Sequence, residues 1–170
     1  VDAPARRSAV LLFSTAGVAY LLDRVTKLWA ERALIDAPIE VIPGVFTLRF
    51  AENSGGAFSI LSSAPWFFAT ATLGVSLLIV ATAWHRRSPL QSFSLGLILG
   101  GALGNLTDRA LRGPGLSGEV VDFLDLHAWP VFNVADSCIV VGAVLLAWSS
   151  ARDARDHERT AATGNGDGAA

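Results

Sequence analysis

The chain has no methionine, one cysteine, one tyrosine and three histidines among its 170 residues. Its only lysine is Lys27, against twelve arginines. A single thiol, Cys138, excludes an internal disulfide and any cysteine-based zinc cluster. With histidine so scarce, neither a His-Glu-x-x-His helix nor a clustered imidazole site is present, and there is no P-loop and no Gly-x-Ser-x-Gly elbow. No metal and no cofactor is expected. Charge is also short: 16% of residues are charged and the net charge is -2, which leaves no basic footprint for nucleic acid. As methionine is missing even at position 1, the initiator is taken as removed, and no cleavable export signal is expected.

What the chain has in abundance is apolar surface. Hydrophobic residues make up 52% of it and the mean hydropathy is +0.47, too apolar for a soluble domain of this size. Four uncharged or nearly uncharged stretches predict membrane spans at about 9–29, 64–84, 92–107 and 131–150. Between the first two, residues 36–58 alternate apolar and polar side chains around Pro43-Gly44, the pattern of a β-hairpin, and 119–126 is a second β-prone run. The expected fold is therefore a membrane all-α protein with a small β region: a four-transmembrane-helix bundle carrying an extracytoplasmic hairpin or cradle. Residues 1–151 form the membrane domain and 152–170 a flexible tail. Arginines at 6, 7, 86, 87, 152, 155 and 159 flank the spans on one side, which places both termini in the cytoplasm.

Against this background each acid in or beside a span needs a reason. A charge at the centre of a span costs about 3 kcal/mol on insertion scales and usually faces a bundle interior or a wet cavity. Asp136 lies at the start of the fourth apolar segment with Asn133 on the same helical face, where Asn133 could serve as no more than a helix cap. Asp23 and Lys27 stand i, i+4 and read as a structural pair at a helix end. The third span ends in Asn105, Asp108 and Arg109, with Arg109 able to neutralise an adjacent acid. Its Gly96, Gly100 and Gly104 recur every four residues and invite close helix packing. Asn53 and Gly55 sit in a turn where another backbone can approach.

The orientation brings Asn53, Asp108, Asp122 and Asp136 to the outer boundary of the bilayer. Two carboxylates that share a site cannot both ionise, so one can activate water while the other protonates a leaving group. Spacing does not select the partner of Asp136. Apolar neighbours on both sides favour Asp122 over Asp108, beside Arg109, and over Asp125, on a wetter stretch. Gly115-Leu116-Ser117-Gly118 matches a serine-protease motif, but no histidine lies in a span to act as its base. A proton or ion relay through Asp136, Asn105 and Arg109 is the alternative from another class, in a chain without an internal repeat.

Five motifs in order now resemble one family. Asp23-x-x-Thr26-Lys27, Asn53-x-Gly55-Gly56-Ala57-Phe58, Gly100-Gly101-Ala102-x-Gly104-Asn105-x-x-Asp108-Arg109, Val120-Val121-Asp122-Phe123 and Phe132-Asn133-x-Ala135-Asp136-Ser137 are similar to the successive motifs of bacterial lipoprotein signal peptidase, the type II signal peptidase. The resemblance implies an aspartyl endopeptidase of the bacterial inner membrane that works near the extracytoplasmic face as a monomer among membrane lipids. Its substrate would be a prolipoprotein, cut just before the lipid-modified cysteine. It implies Asp122 and Asp136 as the catalytic pair, Asn53, Gly55, Asn105, Asp108, Arg109 and Asn133 as substrate-binding or site-shaping residues, and Asp23 with Lys27 as the first-helix polar pair. Gly56, where alanine is common, and a long loop at 113–119 depart from the family pattern.

Overall fold

The computed structural model describes residues 2–54 and 65–164, with side chains of 157–164 and 65 left aside. Among the described residues there are four α-helices and a three-stranded sheet: α1 (Ala3–Ala33), β1 (Ile39–Ile42), β2 (Phe46–Asn53), α2 (Pro65–Ala81), α3 (Pro89–Leu111), β3 (Val120–Asp125) and α4 (Val134–Gly164). Gly55 and its neighbours Gly56, Ala57 and Phe58 lie outside the described residues.

Helix boundaries follow caps rather than hydropathy. Asp2 accepts from Ala5 N at 3.0 Å, so α1 begins a turn and a half before its apolar stretch. Ser88 and Gln91 form a reciprocal capping box with Pro89 at the first helical position, which starts α3 before residue 92. The fourth helix begins at Val134 rather than 131 and does not stop where apolarity stops. It continues to Gly164, through residues expected to be a flexible tail, because residues 151–163 contain neither glycine nor proline and are mostly good helix formers. Arg152 closes the junction by lying over the Trp148 ring, 5.7 Å from its centroid.

α3 is the inner helix, packed against α1, α2 and α4. Gly96 and Gly100 meet Leu12, Thr15, Ala16 and Ala19 of α1, while Gly101 and Gly142 bring α3 and α4 together. A β-carbon at Gly101 would stand 2.4 Å from the Ala135 carbonyl oxygen, so that contact exists only because the side chain is absent. Leu12, Ala16, Ile79, Ala83 and Leu99 fill the centre of the bundle. Outside it, polarity is inverted: Val10, Val18, Leu21, Leu22 and Val25 of α1 and Val140, Val141 and Val144 of α4 are exposed. The most apolar windows of α1 and α4 are only 28% and 17% buried, where a soluble core helix would be mostly covered. Both are long and apolar enough to cross a membrane. All five tryptophans (29, 66, 84, 129 and 148) are exposed; four lie near helix ends or beside them, and Trp148 lies where the apolar part of α4 gives way to its charged part, as in an interfacial belt.

The sheet has the order β1-β2-β3, antiparallel throughout. β1 and β2 turn at Gly44, whose φ of 71° suits glycine. β3 pairs Ala51 with Asp122 and Asn53 with Val120. Phe123 and Leu48, with Ala30 of α1 and its C-cap Leu34, make a second small core that seats the sheet on the end of the bundle.

Candidate active site

Two hydrogen-bonded stitches create the site. Phe132 N donates to the Leu124 oxygen at 3.0 Å, and Leu124 N to the Phe132 oxygen at 2.8 Å, so the lead-in to α4 lies along β3. Two residues to one side of this bridge is Asp122, and immediately beyond Phe132 is Asn133. The Asn133 side chain is fully buried and serves two elements. Its Oδ1 accepts from Asp136 N at 2.8 Å, and Asp136 Oδ2 accepts from Asn133 N at 3.3 Å, a reciprocal cap that starts α4. Its Nδ2 donates to Asp122 Oδ1 at 2.7 Å, with Val121 O and Asn105 Oδ1 each at 3.2 Å. Asn133 is thus a cap and the joint between the two carboxylates at once.

Each carboxylate is held by side-chain amides. Asp122 Oδ2 accepts from Asn53 Nδ2 at 2.9 Å, and Asp136 Oδ1 accepts from Asn105 Nδ2 at 2.8 Å. The Asn105 amide has no freedom to turn round. Lys27 Nζ, which can only donate, holds Asn105 Oδ1 at 2.8 Å and so presents the NH2 group to Asp136.

Lys27 itself is wholly buried and stands 2.9 Å from both Asp23 Oδ2 and Asp108 Oδ2. The contact with Asp23 is an ion pair without hydrogen-bond alignment. Asp23 reaches α4 with its other oxygen, accepting from Ala135 N at 2.9 Å in the first turn, where an anion suits the helix dipole. This pair is therefore more than a helix-end ion pair: it is the floor of the site. Gly104 makes room for it, since a β-carbon there would stand 2.3 Å from Asp23 Oδ2.

Asp108 corrects the expected pairing with Arg109. Its carboxylate is met by Lys27 and Arg24, accepts from Val121 N at 3.3 Å, and thereby ties α1, α3 and β3. Arg109 is buried on the next helical position and points elsewhere, donating to Gly118 O at 3.4 Å. Among the described residues it has no ion pair within 4 Å, and the acids that act on it most strongly are Asp122 and then Asp136. Arg112 was not singled out in the sequence. It joins Glu31 of α1 to Glu52 of β2, the latter at 3.0 Å, next to Asn53.

The two central acids differ in setting. Asp122 is 1% exposed, while Asp136 is partly open. Burial, followed by the charge of Asp136, pushes the Asp122 carboxyl up to about 7, against the pull of the Asn53 and Asn133 amides and Lys27. Asp125 is not wet, as its neighbours suggested, but covered: Arg49 Nε lies 2.5 Å from it and His127 N donates to it at 2.8 Å. Arg49 holds its carboxyl below the ordinary range, so it is an ionised acid spent on the sheet edge. Ser117 donates to Pro114 O at 2.7 Å in an exposed turn, with no base beside it. Among the described residues, no three His, Cys, Asp or Glu side chains converge as a metal site.

Beside Asp136 a cavity of about 370 Å³ opens on the outer face of the bundle. Leu126, Trp129, Phe132, Val140 and Val141 line it, with Asp136 and Ser137 as its polar edge. It is an apolar slot ending at a carboxylate.

An outward-facing apolar body around a pair of amide-bound acids, one buried and one partly open, has the make-up of a membrane enzyme. Two solved bacterial membrane enzymes, determined by the in meso method at 2.3 and 1.9 Å, are similar to this chain at 30% identity. The first superposes with a TM-score of 0.73, over 87% of this chain and 90% of that one. Residues 15–152 match the family model of signal peptidase (SPase) II. The lipoprotein signal peptidase of Rhodococcus jostii is 45% identical over 139 residues, covering 81% of this chain and 70% of that protein. That of Mycobacterium tuberculosis strain H37Rv is 46% identical over 149 residues, covering 85% and 72%. The chain belongs to the signal peptidase II family, and is an integral membrane protein of the protease class.

Proposed function

We propose that this protein is an aspartyl endopeptidase that removes signal peptides from prolipoproteins, cutting before the lipid-modified cysteine, with Asp122 and Asp136 as its catalytic pair. The observation that carries the reading is the joint environment of these two acids. One is buried and one partly open, both are bound by amides from separate elements, and Asp136 borders an apolar cavity on the bilayer-facing side. The family relatives named lipoprotein signal peptidase supply the substrate class.

The chemistry follows from one shared proton. Desolvation favours Asp122 as the protonated member near neutral pH, and the reading gives Asp136 the part of the base. Asp136 takes a proton from water as the water oxygen bonds to the scissile carbonyl carbon. Asp122 hydrogen-bonds the developing oxyanion and then gives its proton to the leaving nitrogen as the C–N bond breaks. Asn105 and Asn133, whose donors are already aimed, keep the carboxylates from rotating as charge moves. Asn53 reaches Asp122 from β2 and adds a second donor to that carboxylate. Arg109, buried with no carboxylate of its own, supplies positive charge behind the pair. The apolar cavity would take the hydrocarbon beside the scissile bond.

The same reading gives α1 to α4 as four spans, both termini cytoplasmic, and the sheet on the outer face of the inner membrane. α3 is the helix enclosed by the other three, so its glycines and polar residues can face protein rather than lipid. The direct test is purified protein alone against a diacylglyceryl-modified preprotein, with and without EDTA. Cleavage before the modified cysteine, undiminished by the chelator, is expected. Loss of turnover with EDTA and its return with zinc would sink the two-aspartate mechanism.

A further inference from the structure

At the opposite end of the bundle a cavity of about 250 Å³ lies between the first turns of α1 and α3, lined by Arg7, Ser8, Leu11, Arg87, Pro89 and Ser92. Ser92 is wholly buried, and its hydroxyl has no hydrogen-bond partner. That is unusual on a helix, where a serine commonly returns its hydroxyl to the preceding turn, as Ser94 does to Leu90 O at 2.7 Å. Ser8 behaves in the opposite way. It accepts from Arg87 N at 3.3 Å and lies 3.2 Å from both the Pro4 and Arg87 carbonyls, fixing the Arg87 backbone against α1 one residue from Arg7.

The charge of this end is unspent. Among the described residues the Arg7 guanidinium makes no hydrogen bond or ion pair, and Arg87 uses its guanidinium only on the Thr82 carbonyl. The neighbouring acids are otherwise engaged: Asp2 caps α1 and binds Arg86, and Asp153 accepts from Gln91 Nε2 at 2.8 Å. Two arginines without a carboxylate, a buried hydroxyl without a partner and the positive end of α3 therefore border one cavity.

We propose that this cavity is a phosphate site for an anionic phospholipid, with the headgroup phosphate held by Arg7, Arg87 and Ser92. The second cavity at this end favours a lipid over free phosphate. It measures about 570 Å³, shares Arg7 and Leu11 with the first, and runs on past the exposed Val10 towards Ser14, along the outward face of α1. A phosphate seated between the arginines would leave its glycerol and chains on that apolar path.

Native mass spectrometry of the full chain, released from a neutral detergent, tests this. Dioleoyl phosphatidylglycerol and dioleoyl phosphatidylcholine are supplied together, and inorganic phosphate in separate runs. The anionic lipid should be retained at least about tenfold over the zwitterionic one, and excess phosphate should not displace it. Arg7→Gln with Arg87→Gln should abolish the preference. Ser92→Ala removes only an unpartnered hydroxyl, so it should leave the lipid-free melting temperature equal or higher while weakening retention of the anionic lipid several-fold. Equal retention of the two lipids, or a preference indifferent to Ser92→Ala in a protein of unchanged melting temperature, would overturn the site. Full competition by inorganic phosphate would replace the lipid by a free anion and refute the proposal as made.

Discussion

Asp122 carries two opposing demands. Asn53 and Asn133 both donate to it, which suits a carboxylate, while burial and Asp136 favour the acid. Its folded carboxyl near 7 lies above the ordinary value of about 4, so between those pH values the folded chain binds a proton that the unfolded chain has released. The contribution of this group to stability is then whole below about pH 4 and falls as pH rises through 7. Asp122→Asn removes the titration. We expect it to cost at least about a thousandfold in cleavage, yet to be more stable than the parent at pH 8 by about 1–3 kcal/mol of unfolding free energy, with the gain gone near pH 4. Asp136→Asn should be equally inactive, and the double variant no worse than either single one. Near-normal turnover by Asp122→Asn, with Asp108→Asn folded but dead, would assign the pair to another partner.

Single residues also mark where the sequence stops being informative. The capping role of Asn133 on α4 is visible from its place before an apolar run, and so is the isolation of Asp122 among valines and phenylalanine. That Asn133 does both jobs is not visible, because the second depends on the bridge between Leu124 and Phe132. Asp108 was matched to Arg109 because they adjoin in sequence, but neighbours on a helix point about 100° apart. Its true partners, Arg24 and Lys27, come from another helix. The available signal was Arg24 itself, a second cation beside Asp23 in an apolar segment.

Among elements, α3 sets the tolerances. Its glycines separate into those that something presses against and, elsewhere in the bundle, those that nothing does. Gly101→Ala would drive a methyl into the Ala135 backbone and Gly104→Ala into the Asp23 carboxylate, so each should destabilise by about 1–3 kcal/mol. Gly104→Ala should in addition impair turnover, since Asp23 orients Lys27 and α4. Gly74→Ala, on α2 with nothing within 4 Å of the added carbon, should be neutral or raise stability by about 0.5–1 kcal/mol. Thermal unfolding in one detergent ranks the three, and a Gly101→Ala protein as stable as Gly74→Ala would contradict the packing. The four-residue repeat of Gly96, Gly100 and Gly104 made this face legible in advance. The true lengths of α1, α3 and α4 were not, because caps and propensity extend a helix beyond the apolar stretch that hydropathy detects.

For the whole molecule, the arginine bias predicts one orientation, with both termini cytoplasmic. A reporter active only in the cytoplasm should work when fused after Ser150, and a reporter active only outside should work at Pro114; the reverse pattern would invert the protein. Orientation is reached during synthesis, and here the Asp23 and Lys27 pair acquires a further meaning. Alone in a bilayer, an acid and a base on one helix would each cost about 2.5–3.5 kcal/mol. Set one turn apart and 2.9 Å from each other, they can cancel within α1 before α3 exists. The first span can then enter the membrane as an electrically closed unit, and later exchange part of that closure for Asp108 and Asn105 when α3 arrives. Lys27→Met should therefore leave fewer chains inserted in the expected orientation, as counted by reporter activity, and adding Asp23→Asn should restore their number without restoring cleavage. The polar floor of the site is also the passport of the helix that carries it.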